Sequence, residues 1–296
     1  MKSCLVRVSV GLGLALLAAA SGAQAVLERV SAGGKLVIAH RESSIPFSYL
    51  DENKKPVGYA VDLCLKIAEA VRQKTGAKAM PVEFLMVTPA NRIDMVASGK
   101  ADLECGSTTN NAERREKVAF TIPHFITGAR LLVRADSPVQ RIEELGGKKL
   151  VSTKGTTPLK AVEQTNRSHL LRIDILSAPD HGKAVEMVES GEVEAFVMDD
   201  VLLYGLAANR PNANGLKVVG KFLTTEPLAI MLPKNDPAFK KLVDDEMRRL
   251  IVSKDIYPIY DKWFLKPIPP KNTALNMPVS YLLKDFWKYP TDIVPF

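Results

Sequence analysis

From residue 36 onward, short apolar runs alternate with segments whose apolar residues return every three or four positions. Residues 36–40 read as a strand. A Ser- and Pro-containing loop follows and ends near Gly58. Val61, Cys64, Leu65, Ala68 and Val71 then share one helical face, and Gly76 closes that helix. Residues 81–87 read as a second strand, 90–98 as a short helix stopped by Gly99, and 101–105 as a third strand. Farther along, strands are expected at 149–152, 172–176 and 193–198, with helices at 157–164 and 182–189 between them. Alternation at this spacing predicts an α/β protein built from βαβ units with mostly parallel sheets.

One unit occurs twice. Residues 95–103 and 187–195 each end a helix on Gly (Gly99, Gly191) and enter a strand. Glycine at that place supplies the left-handed backbone that lets the strand turn back. Two like-built α/β lobes follow from this repeat. Extended segments at 127–134 and 226–234 would carry the chain out of the first lobe and back. The first lobe is then discontinuous (26–127 and 225–296), the second is 128–224, and the two crossings form a hinge. Phe239, Leu242, Val243, Met247, Leu250 and Ile251 line one face of a long helix. From Pro267 the chain is Pro-rich, then aromatic (Phe286, Trp287, Tyr289), and reads as a strap on the first lobe.

The opening 25 residues belong to a different class. Lys2 and Arg7 precede an apolar run at 8–20, and Ala23-Gln24-Ala25 places small residues at both positions of an A-x-A site. This is the pattern of a secretory signal peptide cleaved after Ala25. The run is shorter than the ~20 residues a membrane span requires, and Cys4 lies too early to be a lipidated cysteine of the mature chain. The mature protein is expected in the periplasm. With 296 residues, 46% hydrophobic and 25% charged, the chain falls outside the disordered, collagenous and disulfide-dense classes. Losing Lys2 and Arg7 takes the formal charge from +7 to +5. That excess is interspersed with acids, without the basic stripe of a nucleic-acid binder, so no nucleic-acid partner is expected. Cys64 and Cys105 remain, and an exported compartment permits a disulfide between them. No C-x-x-C pair or zinc-spaced His/Cys cluster is present, so neither a metal nor another cofactor is expected.

Polar residues gather where strands end, the side on which open α/β sheets bind ligands. They are His40 and Arg41; Thr88, Asn91 and Arg92; Ser107, Thr108, Thr109 and Arg114; Thr156 and Thr157 at a helix start; Asp180 and His181; and Asp199 and Asp200. Singly, Arg41 or Arg92 fits a surface ion pair, the hydroxyls fit caps and turns, and His181 or Asp199 fits a helix cap. Together, three arginines and a histidine facing one or two acids suit a zwitterion with an extra negative charge. Guanidinium forks match carboxylates, a carboxylate accepts from an ammonium, and helix-start N–H groups suit an anion.

Segments 40–49, 91–93, 104–114, 178–182 and 198–200, with Trp263-Phe264 and 268–272, resemble the periplasmic glutamate/aspartate-binding proteins of ABC importers. The resemblance runs over about residues 27–276, its motifs in order at matching spacing. It implies the type II periplasmic-binding-protein fold, with ligand between two α/β lobes. By that resemblance Arg114 grips the α-carboxylate and Asp199 the α-ammonium. Ser107, Thr109 and Thr157 add hydrogen bonds, and Arg41, Arg92 and His181 surround the side-chain carboxylate. A neutral ligand would leave two buried arginines unpaired. One departure stands out: Thr88-Pro89-Ala90-Asn91-Arg92 replaces the family's Ser before Gln-Asn-Arg, and Pro89 brings neither hydroxyl nor N–H. The choice between L-glutamate and L-aspartate stays open.

The expected activity is capture by hinge closure and delivery to an ABC-importer permease, by a monomer and not by an enzyme. An exported dehydratase acting on a dicarboxylate is the rival on the same scaffold. Glu42 or Glu104 would be its acid, but no nucleophile–base order accompanies them.

Overall fold

The computed structural model describes residues 25–294. The first half opens with α1 (Val26–Ser31), β1 (Leu36–His40), β2 (Ser43–Ser44), β3 (Ser48–Leu50), β4 (Pro56–Val57), α2 (Tyr59–Thr75) and β5 (Val82–Met86). It continues through α3 (Arg92–Ala97), β6 (Leu103–Glu104), α4 (Ala112–Arg115), β7 (Val118–Phe120) and β8 (Phe125–Thr127). Next come β9 (Ala129–Arg134), β10 (Lys149–Thr153), α5 (Thr157–Ser168), β11 (Asp174–Ala178), α6 (His181–Glu189), β12 (Ala195–Asp199), α7 (Asp200–Ala208) and β13 (Leu216–Val219). The chain returns through β14 (Glu226–Leu228) and β15 (Met231–Pro233), then α8 (Pro237–Val252), α9 (Ile256–Phe264) and α10 (Tyr281–Phe286).

Two five-stranded sheets organise these elements, in the orders β5-β1-β6-β15-β7 and β11-β10-β12-β9-β13. In the first, β1 lies parallel to β5 and β6, while β15 runs antiparallel to β6 and β7. In the second, β10 lies parallel to β11 and β12, while β9 runs antiparallel to β12 and β13. The expectation of mostly parallel sheets is therefore corrected to evenly mixed ones. The βαβ units supply the parallel half of each sheet, and the strands next to the crossings enter the other half from the opposite direction.

The repeated unit seen in the sequence becomes α3–β6 and α6–β12, and both strands are central in their sheets. Gly99 (φ +72) and Gly191 (φ +76) hold the left-handed turns between helix and strand. The crossings meet as a two-stranded antiparallel ribbon, β8 against β14, with Thr127 opposite Glu226. A second correction concerns the loop expected up to Gly58, which holds the small three-stranded sheet β2-β3-β4. Its strands are two or three residues long, too short to leave an alternating pattern.

Around the ribbon the core is aromatic. Phe125 stacks on Tyr260 and Phe264, and Phe47 and Tyr59 meet Phe264 edge-on. Offset and edge-to-face pairs of this kind add about 0.5–1.5 kcal/mol each beyond their burial. Cys64 of α2 is disulfide-bonded to Cys105, just past β6. The C-terminal segment does run as a strap. Tyr49 donates to the Pro269 carbonyl, and the Trp287 indole N–H donates to the Pro123 carbonyl. No described helix is long and apolar enough to cross a membrane.

Candidate functional site

Arg41 follows β1, Arg92 begins α3, and Arg114 lies in α4. All three are buried, at 1%, 2% and 7% exposure. The surface ion-pair alternative is thereby removed for Arg41 and Arg92. Burial lowers the pKa of Arg41 to about 9, with the charge of Arg92 pushing the same way and Glu104 and Asp180 opposing. Burial also lowers Arg114, to about 10, with Arg92 adding to the shift and Glu226, Glu104 and Asp199 resisting it. Arg92 is lowered by burial against the fields of Glu104, Asp199 and Glu226. Arg41 and Arg114 stay cationic at neutral pH. Their mutual effects place them in one electrostatic cluster, at the sheet ends where the chain pattern located them.

Local structure explains how each side chain is aimed. The Asn111 side chain accepts from Arg114 N (2.9 Å) and caps α4. Arg114 can then donate through Nη1 to the Thr109 carbonyl (2.8 Å) and through Nη2 to the Gly155 carbonyl (3.4 Å). Thr156, not Thr157, caps α5 by accepting from Leu159 N. The Thr157 hydroxyl is thus left to meet Thr109 Oγ1 at 3.1 Å and to donate to Glu226 Oε2 at 2.7 Å. Asp180 caps α6, so His181 is no cap. It is buried, with Nδ1 2.8 Å from Thr153 Oγ1. Burial, then the charges of Arg41 and Arg92, lower its pKa and keep the ring neutral. Asp199 stands at the cap position of α7 but makes no side-chain capping bond. Its carboxyl is driven well upward by burial, then by Glu226 and Asp200, against Arg92 and Arg114. Ser107 and Thr109 are both buried.

Other polar residues read from the sequence turn elsewhere. The His40 ring sits 3.0 Å from the Arg41 carbonyl, and Asn91 accepts from Thr88 N within its own turn. The Thr108 hydroxyl donates to Glu104, and Asp200 accepts from Thr127. Sequence reading missed Glu226 as a member of the cluster and weighed Glu104 only as an enzymic acid. Both are buried. Four acids, Glu104, Asp180, Asp199 and Glu226, act on the arginines, not one or two, so discrimination here depends on where charges sit rather than on net charge. Glu226 was visible as the first residue of the return crossing, but nothing in the pattern told which way it pointed.

Several charged atoms in the cluster are buried without a hydrogen-bond partner among the described residues: Arg41 Nε and Nη1, Arg92 Nε, Glu104 Oε1 and Asp199 Oδ1. Leaving such atoms unpaired is expensive. The two sheet-bearing halves also touch across the site. Gly182 N donates to Ser43 Oγ (3.3 Å), and Lys160 pairs with Glu113 (2.6 Å). A Cβ on Gly155 would come within 2.7 Å of Ala90 Cα and of the Pro89 carbonyl oxygen. This is a closed arrangement. The site combines guanidinium forks, which suit carboxylates, with carboxyl groups that suit an ammonium.

A model of the bacterial extracellular solute-binding proteins, family 3, matches residues 36–266. A Salmonella typhimurium protein named a glutamate/aspartate import solute-binding protein is 40% identical, over 95% of this chain and 94% of its own length. A Pseudomonas aeruginosa L-glutamate/L-aspartate-binding protein is 41% identical, over 90% of this chain and 88% of its own. Among solved structures, an ancestral arginine-binding protein bound to glutamine superposes with a TM-score of 0.70 at 27% identity. It covers 78% of this chain and 98% of its own.

Proposed function

The chain belongs to the bacterial extracellular solute-binding proteins, family 3, with the two-lobe type II fold, and on that footing we propose that it captures an acidic amino acid, L-glutamate or L-aspartate. The observation that carries this reading is the set of unpartnered atoms on Arg41, Arg92 and Asp199 at a buried interlobe site. Arg114 takes the α-carboxylate, with Ser107, Thr109 and Thr157 beside it. Arg41, Arg92 and neutral His181 take the side-chain carboxylate. Asp199 takes the ammonium, and Glu226 stands with it as a second acceptor.

A first lobe of residues 26–127 and 225–296 and a second of 128–224 close about the β8–β14 ribbon. Ligand stabilises the closed state by bridging them. The closed monomer then hands its cargo to the permease of an ABC importer in the bacterial envelope. The dehydratase reading is not favoured, because relatives near 40% identity are solute-binding proteins.

Thermal-shift screening of the mature chain against the common amino acids and small dicarboxylates tests the proposal. L-glutamate or L-aspartate should raise Tm most, since a ligand that binds only the folded form stabilises it by mass action. The largest shift from a neutral or basic amino acid would overturn the assignment.

A further inference from the structure

Val26 N donates to Asp236 Oδ2 at 2.8 Å, across 210 positions of sequence. Asp236 is only 6% exposed, and its other oxygen accepts from Phe239 N (3.0 Å), capping α8. Val26 is 5% exposed and opens α1. A cavity of about 560 Å³ adjoins this contact. Of the charged side chains lining it, Arg29 is committed to Asp102, Lys117 lies by Asp94, and Lys234 donates to the Glu116 carbonyl. Asp236 is the carboxylate that reaches Val26 N.

The A-x-A pattern puts the export cleavage at the same nitrogen. We propose that Asp236 is the receptor for the amino terminus created by maturation. A signal peptidase adds water across the Ala25–Val26 peptide bond. The hydroxyl goes to the Ala25 carbonyl carbon, which leaves as a carboxylate. Val26 N leaves as an amine and takes a proton. A neutral N–H donor thereby becomes an ammonium against a buried carboxylate that is already in place.

Two effects follow. A cation at a helix N-terminus is disfavoured by the helix dipole, and Asp236 supplies the compensating charge. The charge-assisted bond is roughly twice as strong as a neutral one, and it ties α1 to α8. The precursor has only the neutral N–H bond at this place, so the stronger tie between α1 and α8 forms once the leader has been removed.

The test begins with export of the full chain in a bacterium and sequencing of its first residue, expected to be Val26. The mature chain is then compared with one that retains Ala25, in the natural sequence and in Asp236→Asn. Retaining Ala25 should lower Tm by about 2–4 °C at pH 6 in the natural sequence and leave Asp236→Asn unchanged. Partnership raises the Val26 amine above its ordinary value near 7.7–8.0. The added stability is therefore full below that value and is lost as pH rises through the higher folded one. NMR titration of the Val26 amine in the natural mature chain reads this shift without any variant. A mature chain beginning elsewhere, an equal effect of Ala25 in Asp236→Asn, or an amine titrating at its ordinary value would each overturn the proposal.

Discussion

Thr157 donates its hydroxyl to Glu226 across 2.7 Å, joining the first turn of α5 to the return strand of the hinge. The same hydroxyl lies 3.1 Å from Thr109 Oγ1, on the segment after β6. One oxygen therefore touches both halves and the ribbon between them. It can hold this geometry because Thr156 takes over the capping of the helix.

Glu226→Gln keeps an oxygen for Thr157 and removes the charge beside Asp199. If both carboxylates receive the ligand ammonium, affinity for L-glutamate falls about 10- to 100-fold, the range set by roughly 1.5–3 kcal/mol for a hydrogen bond to a charged group. Isothermal titration reads it. Unchanged affinity would make Glu226 a partner of Thr157 and Arg114 alone.

The three arginines should separate by role. Arg114→Ala removes the group assigned to the α-carboxylate, common to all amino acids, and takes one opposing charge away from Asp199. Binding of every amino acid should fall below detection, in line with the roughly 3–5 kcal/mol cost of breaking a buried pair. Arg41→Ala and Arg92→Ala should weaken acidic ligands most and neutral ones least. Titration of each variant against glutamate, aspartate and glutamine checks the order. Undiminished glutamate binding in Arg114→Ala refutes the assignment.

His124 sits in the aromatic core beside Phe47 and Tyr59, with neither ring nitrogen partnered among the described residues. Burial lowers its pKa from 6.5 to about 3. Below about pH 6.5 the unfolded chain takes a proton that the folded chain refuses until near pH 3. Stability therefore falls as pH drops through that window, by up to about 1.4 kcal/mol per unit. His124→Phe should remove about 2 kcal/mol of the loss between pH 7 and pH 5. Urea unfolding at the two pH values measures this, and an unchanged pH dependence would show that His124 is protonated in the native core.

Periodicity alone was enough to read the helix packed by Val61, Cys64 and Val71, and the Gly99 and Gly191 turns were legible because each needs a left-handed residue. Strand direction was not. A short apolar run looks the same whether β15 lies parallel or antiparallel to β6, and only the crossings decide it. In the site, residues at strand ends were legible, because α/β topology sends those ends to one side. Glu226 was not, because it lies on a crossing, and a lone acid in an extended segment carries no directional signal. Thr156 and Thr157 are adjacent and chemically alike. Which one caps α5 and which faces the cleft was settled only by the backbone.

Closure itself can be tested at Gly155, which contacts no proposed ligand group through a side chain. Its backbone has φ +80, and a Cβ there would lie 2.7 Å from Ala90 Cα and from the Pro89 carbonyl oxygen. These are backbone atoms of the opposite half, so no side-chain rotation relieves the clash. Gly155→Ala also carries the strain of a positive φ, about 1 kcal/mol, which lowers stability modestly in any state. The clash is different in kind, because it exists only when the halves meet. The variant should therefore lose affinity for its ligand by 10-fold or more while keeping every residue assigned to the ligand. Small-angle scattering with saturating ligand should show a larger radius of gyration than the natural chain. Pro89 sharpens the test, since its rigid ring limits how far the facing loop can withdraw. A variant that binds and compacts like the natural chain would mean that closure brings other surfaces together and that Gly155 is there for its turn alone.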